Sequence, residues 1–351
     1  MNVLLVKMSS LGDIVHTLPA LDDAHRHGVR FDWVVEENYR AVPALAPGVD
    51  RVLEVGFRRW RRAPITFRSE LGAFRRRLRA RRYDKVLDAQ GLLKSAVVGC
   101  WANAAERVGF NAASARERAA TLAYHRGISV PRDWHAIDRT RRLLADALGY
   151  DLPDGEPAFG LGVVPADEGT CPDNAVVLAH GTTWRTKHWP EPFWSALARF
   201  AAQGGFVPVL PWVLGERGRA ERIAATVPGA RVCPPMDLDA VMQLLAVCRG
   251  IVGVDSGLAH LGAAMGRPTV MLFGPSDPAL TGCRGRFVRN LAASWACAPC
   301  VSKRCRLTSQ AREQRQASRW APPCLEAVGP DSAWAALTDL IARKRLNDAG
   351  S

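Results

Sequence analysis

The sequence predicts an α/β protein of two domains, each a parallel β-sheet with helices on both faces. Two observations support this prediction. Short apolar runs alternate with longer amphipathic stretches, and the alternation stops near residue 160 and begins again at residue 175. Strands that alternate with helices form parallel sheets, because each helix returns the chain to the same edge. The length of 351 residues and the hydrophobic content of 48% suffice for two such cores.

Each element follows from its hydrophobic period. In the first half, strands are expected over residues 3–6, 31–35, 52–55, 85–88 and 107–110, and helices over 14–26, 66–81, 92–103 and 135–148. In the second half, strands are expected over 175–178, 206–210, 230–232, 250–254 and 269–273, and helices over 192–203, 215–226, 238–247, 257–265 and 331–346. We assign 1–160 to the first domain, 161–174 to a linker rich in Pro, Gly and acidic residues, 175–330 to the second domain and 331–351 to a C-terminal helix and tail.

The charge is strongly positive and unevenly spread. The formal net charge is +13, and eleven arginines fall between residues 58 and 82. They are Arg58, Arg59, Arg61, Arg62, Arg68, Arg75, Arg76, Arg77, Arg79, Arg81 and Arg82. Such a cluster indicates a polyanionic partner, which could be a nucleic acid, an anionic membrane or a multiply charged substrate, or else a solvated helix face. No apolar run approaches about 18 residues, and the N-terminus begins as a core strand, so we expect a cytoplasmic protein without a membrane span.

The cysteines divide into two groups. Five are scattered and typical of small core residues: Cys100, Cys171, Cys233, Cys248 and Cys283. The other four are clustered near the C-terminus: Cys297, Cys300, Cys305 and Cys324. Four thiols within some thirty residues could hold zinc, but the paired knuckles of a zinc site are missing. Reduced thiols or an adventitious disulfide are therefore favoured over a metal.

The first candidate site loop joins the first strand to the first helix, over residues 7–13. Ligands of parallel sheets bind at the carboxyl ends of the strands, where this loop lies. Gly12 permits a tight turn, and Asp13 stands where the helix begins. Asp13 could cap the helix, as aspartate often does, or serve as a general base.

A second loop over residues 179–190 follows the strand at 175–178. It offers the hydroxyls of Thr182 and Thr183, the ammonium of Lys187 and free backbone N–H groups, which together suit a diphosphate. Further along, Glu216 follows the strand at 206–210. It could accept hydrogen bonds from ribose hydroxyls or place a negative charge at a helix N-terminus.

The third loop separates the strand at 250–254 from the helix at 257–265. Asp255 and Ser256 can cap this helix, and Gly257 lets its backbone N–H approach a ligand. An anion is stabilised at such a helix N-terminus. His260 lies one turn into the helix, where it is either structural or a ligand contact.

Several nucleotide-binding signatures are missing. The sequence has no Walker loop, and no Gly-x-Gly-x-x-Gly follows the first strand, which disfavours a kinase, an NTPase or a dehydrogenase. No Asp-x-Asp pair directly follows a strand, so a metal-held sugar nucleotide is not indicated.

At this point several stretches match a known family. They are residues 7–21 (K-M-S-S-L-G-D-I-V-H-T-L-P-A-L), 31–37 (F-D-W-V-V-E-E), 58–61 (R-R-W-R), 88–92 (D-A-Q-G-L), 187–190 (K-H-W-P) and 255–261 (D-S-G-L-A-H-L). Together they resemble the bacterial lipopolysaccharide heptosyltransferases, most of all the members that add the first heptose to the Kdo region. The similarity runs to about residue 282. The tail from about residue 292 departs from those members.

The resemblance implies a GT-B fold, with two Rossmann-like domains facing across a cleft. It also implies inverting transfer of L-glycero-D-manno-heptose from ADP-heptose to the 5-hydroxyl of Kdo on lipid A. No metal cofactor is implied, and contact with the cytoplasmic face of the inner membrane would be weak and peripheral. A related enzyme that adds a later core heptose or another sugar remains an alternative. A basic nucleic-acid-binding protein is a further one.

The resemblance also assigns roles to residues. Asp13 matches the general base, and Lys187 offsets charge on the leaving group. Donor contacts would come from Thr182, Thr183, Lys187, Asp255, Ser256, Gly257 and His260, with Glu216 on the ribose and Met236 on the adenine. The acceptor-side surface would consist of Arg58, Arg61, Lys94 and Arg116. Residues 184–186 depart from the family pattern, and the resemblance assigns them no donor contact.

Overall fold

A computed structural model describes residues 1–61, 64–165, 171–213, 215–305, 307 and 322–350, without the side chains of 64–66. Arg62 and residues 166–170 of the expected linker lie outside this description. Contacts divide the chain into two compact units, Met1–Val163 and Val164–Ser351. Each unit contains a six-stranded parallel sheet. The predicted α/β class with two Rossmann-like parallel sheets is therefore confirmed.

The first unit builds its sheet in the order β3-β2-β1-β4-β5-β6. The strands are β1 (Asn2–Val6), β2 (Arg30–Glu36), β3 (Val49–Val55), β4 (Tyr83–Asp88), β5 (Ala104–Phe110) and β6 (Arg126–Ile128). The helices are α1 (Leu11–Val15), α2 (Leu18–Arg26), α3 (Ala41–Ala44), α4 (Phe57–Trp60), α5 (Pro64–Arg79), α6 (Leu93–Trp101) and α7 (Ala136–Leu148). Short 3-10 helices span Glu37–Tyr39 and Arg118–Ala123.

The second unit repeats this order, as β12-β11-β10-β7-β8-β9. Its strands are β7 (Ala175–Ala179), β8 (Val207–Leu210), β9 (Arg231–Val232), β10 (Gly250–Val254), β11 (Thr269–Phe273) and β12 (Val288–Ala292). Its helices are α8 (Glu191–Gln203), α9 (Arg217–Ala224), α10 (Leu238–Val247), α11 (Gly257–Ala264), α12 (Pro278–Thr281), α13 (Pro323–Glu326) and α14 (Pro330–Ala349). A 3-10 turn covers Arg185–Lys187.

One predicted helix is broken. The sequence predicts a single helix over 14–26, whereas the structure has α1 and α2, which the chain joins through His16 and Thr17. The break has a clear cause, because Pro19 has no N–H to donate into a continuing helix and instead occupies the first turn of α2. The Thr17 hydroxyl also donates to the Asp13 carbonyl oxygen at 2.8 Å, which satisfies a carbonyl at the end of α1.

Two edge strands were missed by the sequence prediction. The first, β6, has three residues, and β12 alternates between half-buried and exposed residues. The inner strands β7, β10 and β11 are instead fully buried. Strands buried on both faces read as continuous apolar runs and stand out in the sequence. The edge strands β3 and β9 were predicted, whereas the short β6 and the half-exposed β12 lack such a run. The other predicted strands and helices are present within a few residues of their expected ends.

The core of the second unit packs α8, α9 and α14 against one face of its sheet. Trp189 and Trp194 are fully buried there, with ring centroids 4.9 Å apart in an edge-on arrangement. The Trp189 indole N–H donates to the carbonyl oxygens of Leu325 and Val328. Within the part of the chain that the structure describes, no helix is long and apolar enough to cross a membrane.

Candidate functional site

Three loops follow β7, β8 and β10, which are neighbouring strands of the second sheet. Their carboxyl ends share one edge, so the loops converge there. The closest link is an ion pair, in which Lys187 Nζ donates to Asp255 Oδ2 at 2.5 Å. Both side chains are largely buried, with 15% and 8% of their surface exposed. The structure thus brings together the two loops that the sequence predicted as a phosphate site.

The Asp255 carboxylate has a second partner. The His260 Nε2 atom lies 3.4 Å from Asp255 Oδ1, and the His260 Nδ1 atom lies 3.6 Å from the Cys283 thiol sulfur. Burial alone would raise the pKa of Asp255, but the His260 hydrogen bond and the Lys187 charge outweigh it and hold that pKa well below its usual range. Asp255 is therefore a fixed negative charge that orients both Lys187 and His260.

The start of α11 holds donors without partners. Ser256 is the N-cap residue, yet its hydroxyl makes no capping bond, and its Oγ atom is buried without a hydrogen-bond partner among the described residues. Neither Asp255 nor Ser256 caps the helix through its side chain, contrary to one reading of the sequence. Gly257 opens the helix, and its first N–H groups point out of the N-terminus. An anion seated here would satisfy these donors.

Glu216 ties the β8 loop to the β7 loop. Its carboxylate accepts from the backbone N–H of Val213 at 3.2 Å and also from the backbone N–H of Thr182. Burial raises the pKa of Glu216 above its ordinary value. Of the two threonines, Thr182 is half-buried and Thr183 is exposed.

Met236 follows β9, which is the neighbour of β8 in the sheet. It is half-buried in the segment between β9 and α10. Its proposed contact with adenine stays a prediction.

Arg219 is a site residue that the sequence analysis missed. From α9 it donates to the carbonyl oxygens of His180 at 3.4 Å and Trp189 at 2.5 Å, and it contacts the ring nitrogen of His188. These residues stand at the two ends of the β7 loop, so one guanidinium fixes both ends. Its position in α9, within a run of charged residues, gave no sequence signal of this contact.

The residues from 297 to 305 pack beside the same loop. The Thr186 hydroxyl donates to the Ser302 carbonyl oxygen at 2.8 Å. The ammonium groups of Lys187 and Lys303 lie 4.5 and 5.3 Å from the Trp184 ring centroid. Trp184 is therefore a cation–π partner of the loop, while Trp189 belongs to the core.

The C-terminal cysteines line one small apolar pocket. Cys297, Cys300, Cys305 and Cys324 all border it as free thiols. Burial raises the pKa of Cys324 to about 11, so this thiol is protonated at neutral pH. Within the described residues, no group of three or more His, Cys, Asp and Glu side chains is arranged to hold a metal ion.

In the first unit, Asp13 lies at the carboxyl end of β1. It is the third residue of α1 rather than its N-cap, which is Ser10. Its Oδ2 atom accepts from the Ser10 backbone N–H at 2.8 Å and from the Ser10 hydroxyl at 2.9 Å, and Lys7 Nζ lies 3.8 Å from its Oδ1 atom. Burial would raise the pKa of Asp13, but the Lys7 charge and the Ser10 donors lower it below its ordinary value. About a third of the Asp13 side chain is exposed.

A buried amide orders the loop beside Asp13. The Gln90 side-chain oxygen accepts from the backbone N–H groups of Met8 at 2.8 Å and Ser9 at 3.1 Å, and its nitrogen donates to the Ser9 carbonyl oxygen at 2.5 Å. Gln90 belongs to a stretch that matched the family, but no role was predicted for it. Its contacts show that it joins the carboxyl ends of β1 and β4.

The predicted acceptor-side residues lie around this edge. Lys94 Nζ donates to Ser9 Oγ at 3.4 Å, and the Arg116 charge lowers the pKa of Asp13. The charges of Arg58 and Lys94 both act on Glu36, whose pKa is raised by burial. The structure thus brings Arg58, Lys94 and Arg116 to the neighbourhood of β1, β2 and β4.

Other arginines of the basic stretch have internal partners. Arg59 pairs with Glu37 and Glu70, and Arg81 pairs with the buried Asp32. Arg61 is exposed just after α4. The stretch is therefore not a uniform polyanion surface, because part of its charge is neutralised within the unit.

Comparison with known proteins finds one family throughout. The family model for glycosyltransferase family 9 (heptosyltransferase) matches residues 71–310. The chain is 44% identical to lipopolysaccharide heptosyltransferase 1 of Pseudomonas aeruginosa over 340 residues, which cover 94% of this chain and 95% of that protein. It is 40% identical to lipopolysaccharide heptosyltransferase 1 of Escherichia coli K12 over 296 residues, which cover 82% and 92%.

Solved structures give the same result. The E. coli heptosyltransferase WaaC with ADP superposes with a TM-score of 0.78 at 38% identity, over 90% of this chain and 98% of that one. WaaC with ADP-2-deoxy-2-fluoro heptose gives a TM-score of 0.74 at 39% identity, over the same shares of the two chains. The predicted resemblance and the GT-B type of fold are confirmed. The chain belongs to glycosyltransferase family 9, the heptosyltransferases.

Proposed function

We propose that this chain transfers L-glycero-D-manno-heptose from ADP-heptose to the 5-hydroxyl of Kdo on lipid A, with inversion at the anomeric carbon. The observation that carries the proposal is the presence in one chain of a diphosphate-type site in the second unit and of a carboxylate near cations in the first unit. The relatives named lipopolysaccharide heptosyltransferase 1 support the sugar, and the ADP-bound relative supports the donor.

The donor site has groups suited to a leaving diphosphate. Lys187 has three N–H donors and uses one of them on Asp255, so two remain for phosphate oxygens. The Ser256 hydroxyl and the α11 N-terminus supply further donors. As the bond between the anomeric carbon and the phosphate oxygen breaks, the electron pair goes to ADP. Groups fixed in advance stabilise that charge without a metal.

Asp13 supplies the base. The attacking Kdo hydroxyl forms its bond to the anomeric carbon while its proton passes to the Asp13 carboxylate. The depressed pKa keeps Asp13 ionised at neutral pH, so that it accepts the proton late, as the hydroxyl becomes strongly acidic during bond formation. Arg58, Arg61, Lys94 and Arg116 would face the Kdo carboxylates and the lipid A phosphates. Glu216 would accept from the ribose hydroxyls, and Met236 would contact the adenine.

The product tests this proposal. Purified enzyme is incubated with ADP-heptose and Kdo-lipid A in the presence of EDTA, and the linkage is determined by NMR. We expect an α-linked heptose on O5 of Kdo, formed at an undiminished rate under chelation. The heptose is β-linked in the donor, so a β-linked product would contradict inversion. Attachment at another hydroxyl would contradict the acceptor assignment, and dependence on an added divalent cation would contradict the metal-free step. We expect the enzyme at the cytoplasmic face of the inner membrane, in weak peripheral contact.

A further inference from the structure

Helix α6 presents an apolar stripe to solvent in the first unit. Leu93 and Val97 are 51% and 41% exposed, and they are four residues apart, on one side of the helix. Cys100 and the half-buried Trp101 extend the same side to the end of the helix. Single exposed apolar residues are ordinary, but a stripe along a whole helix is not.

A second exposed apolar side chain lies on the neighbouring element. The 3-10 helix Arg118–Ala123 packs against α6, and Leu122 within it is 90% exposed. The two elements are also tied by a hydrogen bond from the Leu93 backbone N–H to the Glu117 carboxylate at 2.7 Å. We call the exposed apolar side chains of these two adjoining segments, Leu93, Val97 and Leu122, the α6 surface.

Cations flank this surface on both sides. Helix α5 packs beside α6, and the Arg75 guanidinium lies 5.5 Å from the Trp101 ring centroid. Arg76 and Arg79 on α5 are exposed, as is Arg118 on the other side. The nearby carboxylate of Glu117 is already engaged by the Leu93 N–H. An apolar centre with an arginine border is the pattern of a protein surface that lies in the interface of an anionic membrane.

We propose that the α6 surface docks the enzyme on an anionic phospholipid bilayer, with Val97 and Leu122 entering the headgroup region and Arg76 and Arg118 binding lipid phosphates. A second copy of the chain fits this surface poorly, because a two-fold contact would bring the like-charged borders together. A nucleic acid would contact the arginines and leave the apolar centre in water.

The proposed docking surface rests on the proposed function, because it lies beside the expected acceptor site. Lys94 lies at the start of α6 and reaches Ser9 in the loop before Asp13. A bilayer that covers α6 therefore lies beside the edge of the first unit that would receive the Kdo acceptor. The acceptor is itself anchored in a membrane, so docking would place its sugar within reach of Asp13.

Vesicle binding tests the surface. Sedimentation measures binding of the full chain to vesicles of phosphatidylglycerol and phosphatidylethanolamine, with phosphatidylcholine vesicles as the uncharged comparison. For the double variant Val97→Ser/Leu122→Ser we expect binding to fall at least tenfold, which corresponds to about 1.4 kcal/mol. For Arg76→Gln/Arg118→Gln we expect a similar loss and a weaker dependence on salt. The matched control Arg345→Gln/Leu346→Ser, exposed on α14, should bind as the unchanged protein does.

The outcomes separate the surface from the proposed function. Turnover of a water-soluble Kdo acceptor without acyl chains should be unchanged in both variants, whereas turnover of vesicle-embedded acceptor should fall with binding. If the variant Val97→Ser/Leu122→Ser fails to fold, vesicle binding by Arg76→Gln/Arg118→Gln tests the proposal instead. The proposal would be overturned if a folded variant bound vesicles as tightly as the unchanged protein does. It would also be overturned if the variants lost self-association and kept vesicle binding. Vesicle binding that depends on these residues in a protein without heptose transfer would overturn the proposed function and leave the docking surface intact.

Discussion

Lys187 and Asp255 form a largely buried ion pair at 2.5 Å that joins loops 68 residues apart in the sequence. The pair holds the lysine ammonium beside the N-terminus of α11, where Ser256 Oγ has no hydrogen-bond partner among the described residues. A positive charge, a helix N-terminus and an unsatisfied hydroxyl together explain why the donor diphosphate would bind in this place.

Replacement of Lys187 by methionine tests the donor site. We expect the KM for ADP-heptose to rise and kcat to fall, each by about 10- to 100-fold, because hydrogen bonds to charged groups contribute about 1.5–3 kcal/mol. Steady-state kinetics with varied donor measures both. Lys303→Met is the matched control, since Lys303 also lies over the Trp184 ring but is exposed. Equal KM and kcat values for the two variants would show that Lys187 does not bind the donor phosphates.

Replacement of Asp13 by asparagine tests the base. We expect kcat to fall by about 10²- to 10⁴-fold, the usual effect of losing a general base. The dissociation constant for ADP-heptose, measured by calorimetry, should be unchanged. Because the pKa of Asp13 is lowered, its carboxylate stays ionised at every pH above the ordinary aspartate pKa of about 3.9. The kcat/KM of the unchanged enzyme should therefore not decline through protonation of Asp13 anywhere in that range. The matched control is Asp133→Asn, because Asp133 is exposed. Near-normal turnover by Asp13→Asn would refute the assignment of Asp13 as the general base.

Replacement of Arg219 by methionine tests its role in positioning the β7 loop. Loss of its contacts with the His180 and Trp189 carbonyl oxygens should raise the donor KM by about tenfold, because the loop would sample conformations that do not bind phosphate. The acceptor KM should not change. Arg222→Met is the control, since Arg222 is on the same helix but pairs with Glu191 at the surface. If the acceptor KM rises as much as the donor KM, the effect is a general structural one.

Two buried histidines predict how stability depends on pH. Burial and the Arg219 charge lower the pKa of His180 to about 3 and that of His188 to about 4. Between pH 4 and the unfolded value of about 6.5, the unfolded chain binds protons at these sites and the folded chain does not. The free energy of unfolding should therefore rise with pH across this window, by about 1–2 kcal/mol for each histidine between pH 5 and 7.

Urea unfolding of the His180→Gln variant checks this expectation. The variant should show a smaller change in unfolding free energy between pH 5 and 7 than the unchanged protein. His27→Gln is a suitable control, because His27 is exposed. An identical pH dependence in the unchanged protein and in His180→Gln would mean that the pKa of His180 is the same in the folded and unfolded chains, which would contradict its lowered pKa.

The sequence predicted the fold well where burial leaves a simple pattern. The fully buried strands β7, β10 and β11 read as unbroken apolar runs and were found, whereas the edge strands β6 and β12 were not. Pro19 broke a predicted helix because a local backbone constraint overrides the hydrophobic period.

The proximity of Lys187 and Asp255 could be predicted, because both lie in loops that follow neighbouring strands of one sheet. Arg219 and Gln90 could not be identified, because their roles come from contacts with loops distant in sequence. The α6 surface could not be identified from the sequence for the same reason. Its apolar residues come from two separate segments, so neither segment alone indicates a membrane contact.

A competition between two acceptors tests most directly whether the chain transfers the first heptose to Kdo-lipid A. Purified enzyme receives ADP-heptose together with equal amounts of Kdo-lipid A without heptose and the same acceptor already carrying one heptose, and mass spectrometry follows both products. We expect the unheptosylated acceptor to be consumed with a kcat/KM at least about 100-fold higher, a difference of about 2.7 kcal/mol. Preferred transfer to the heptosylated acceptor would contradict it and would assign the chain to a later step. Transfer to neither acceptor would contradict the proposed function altogether.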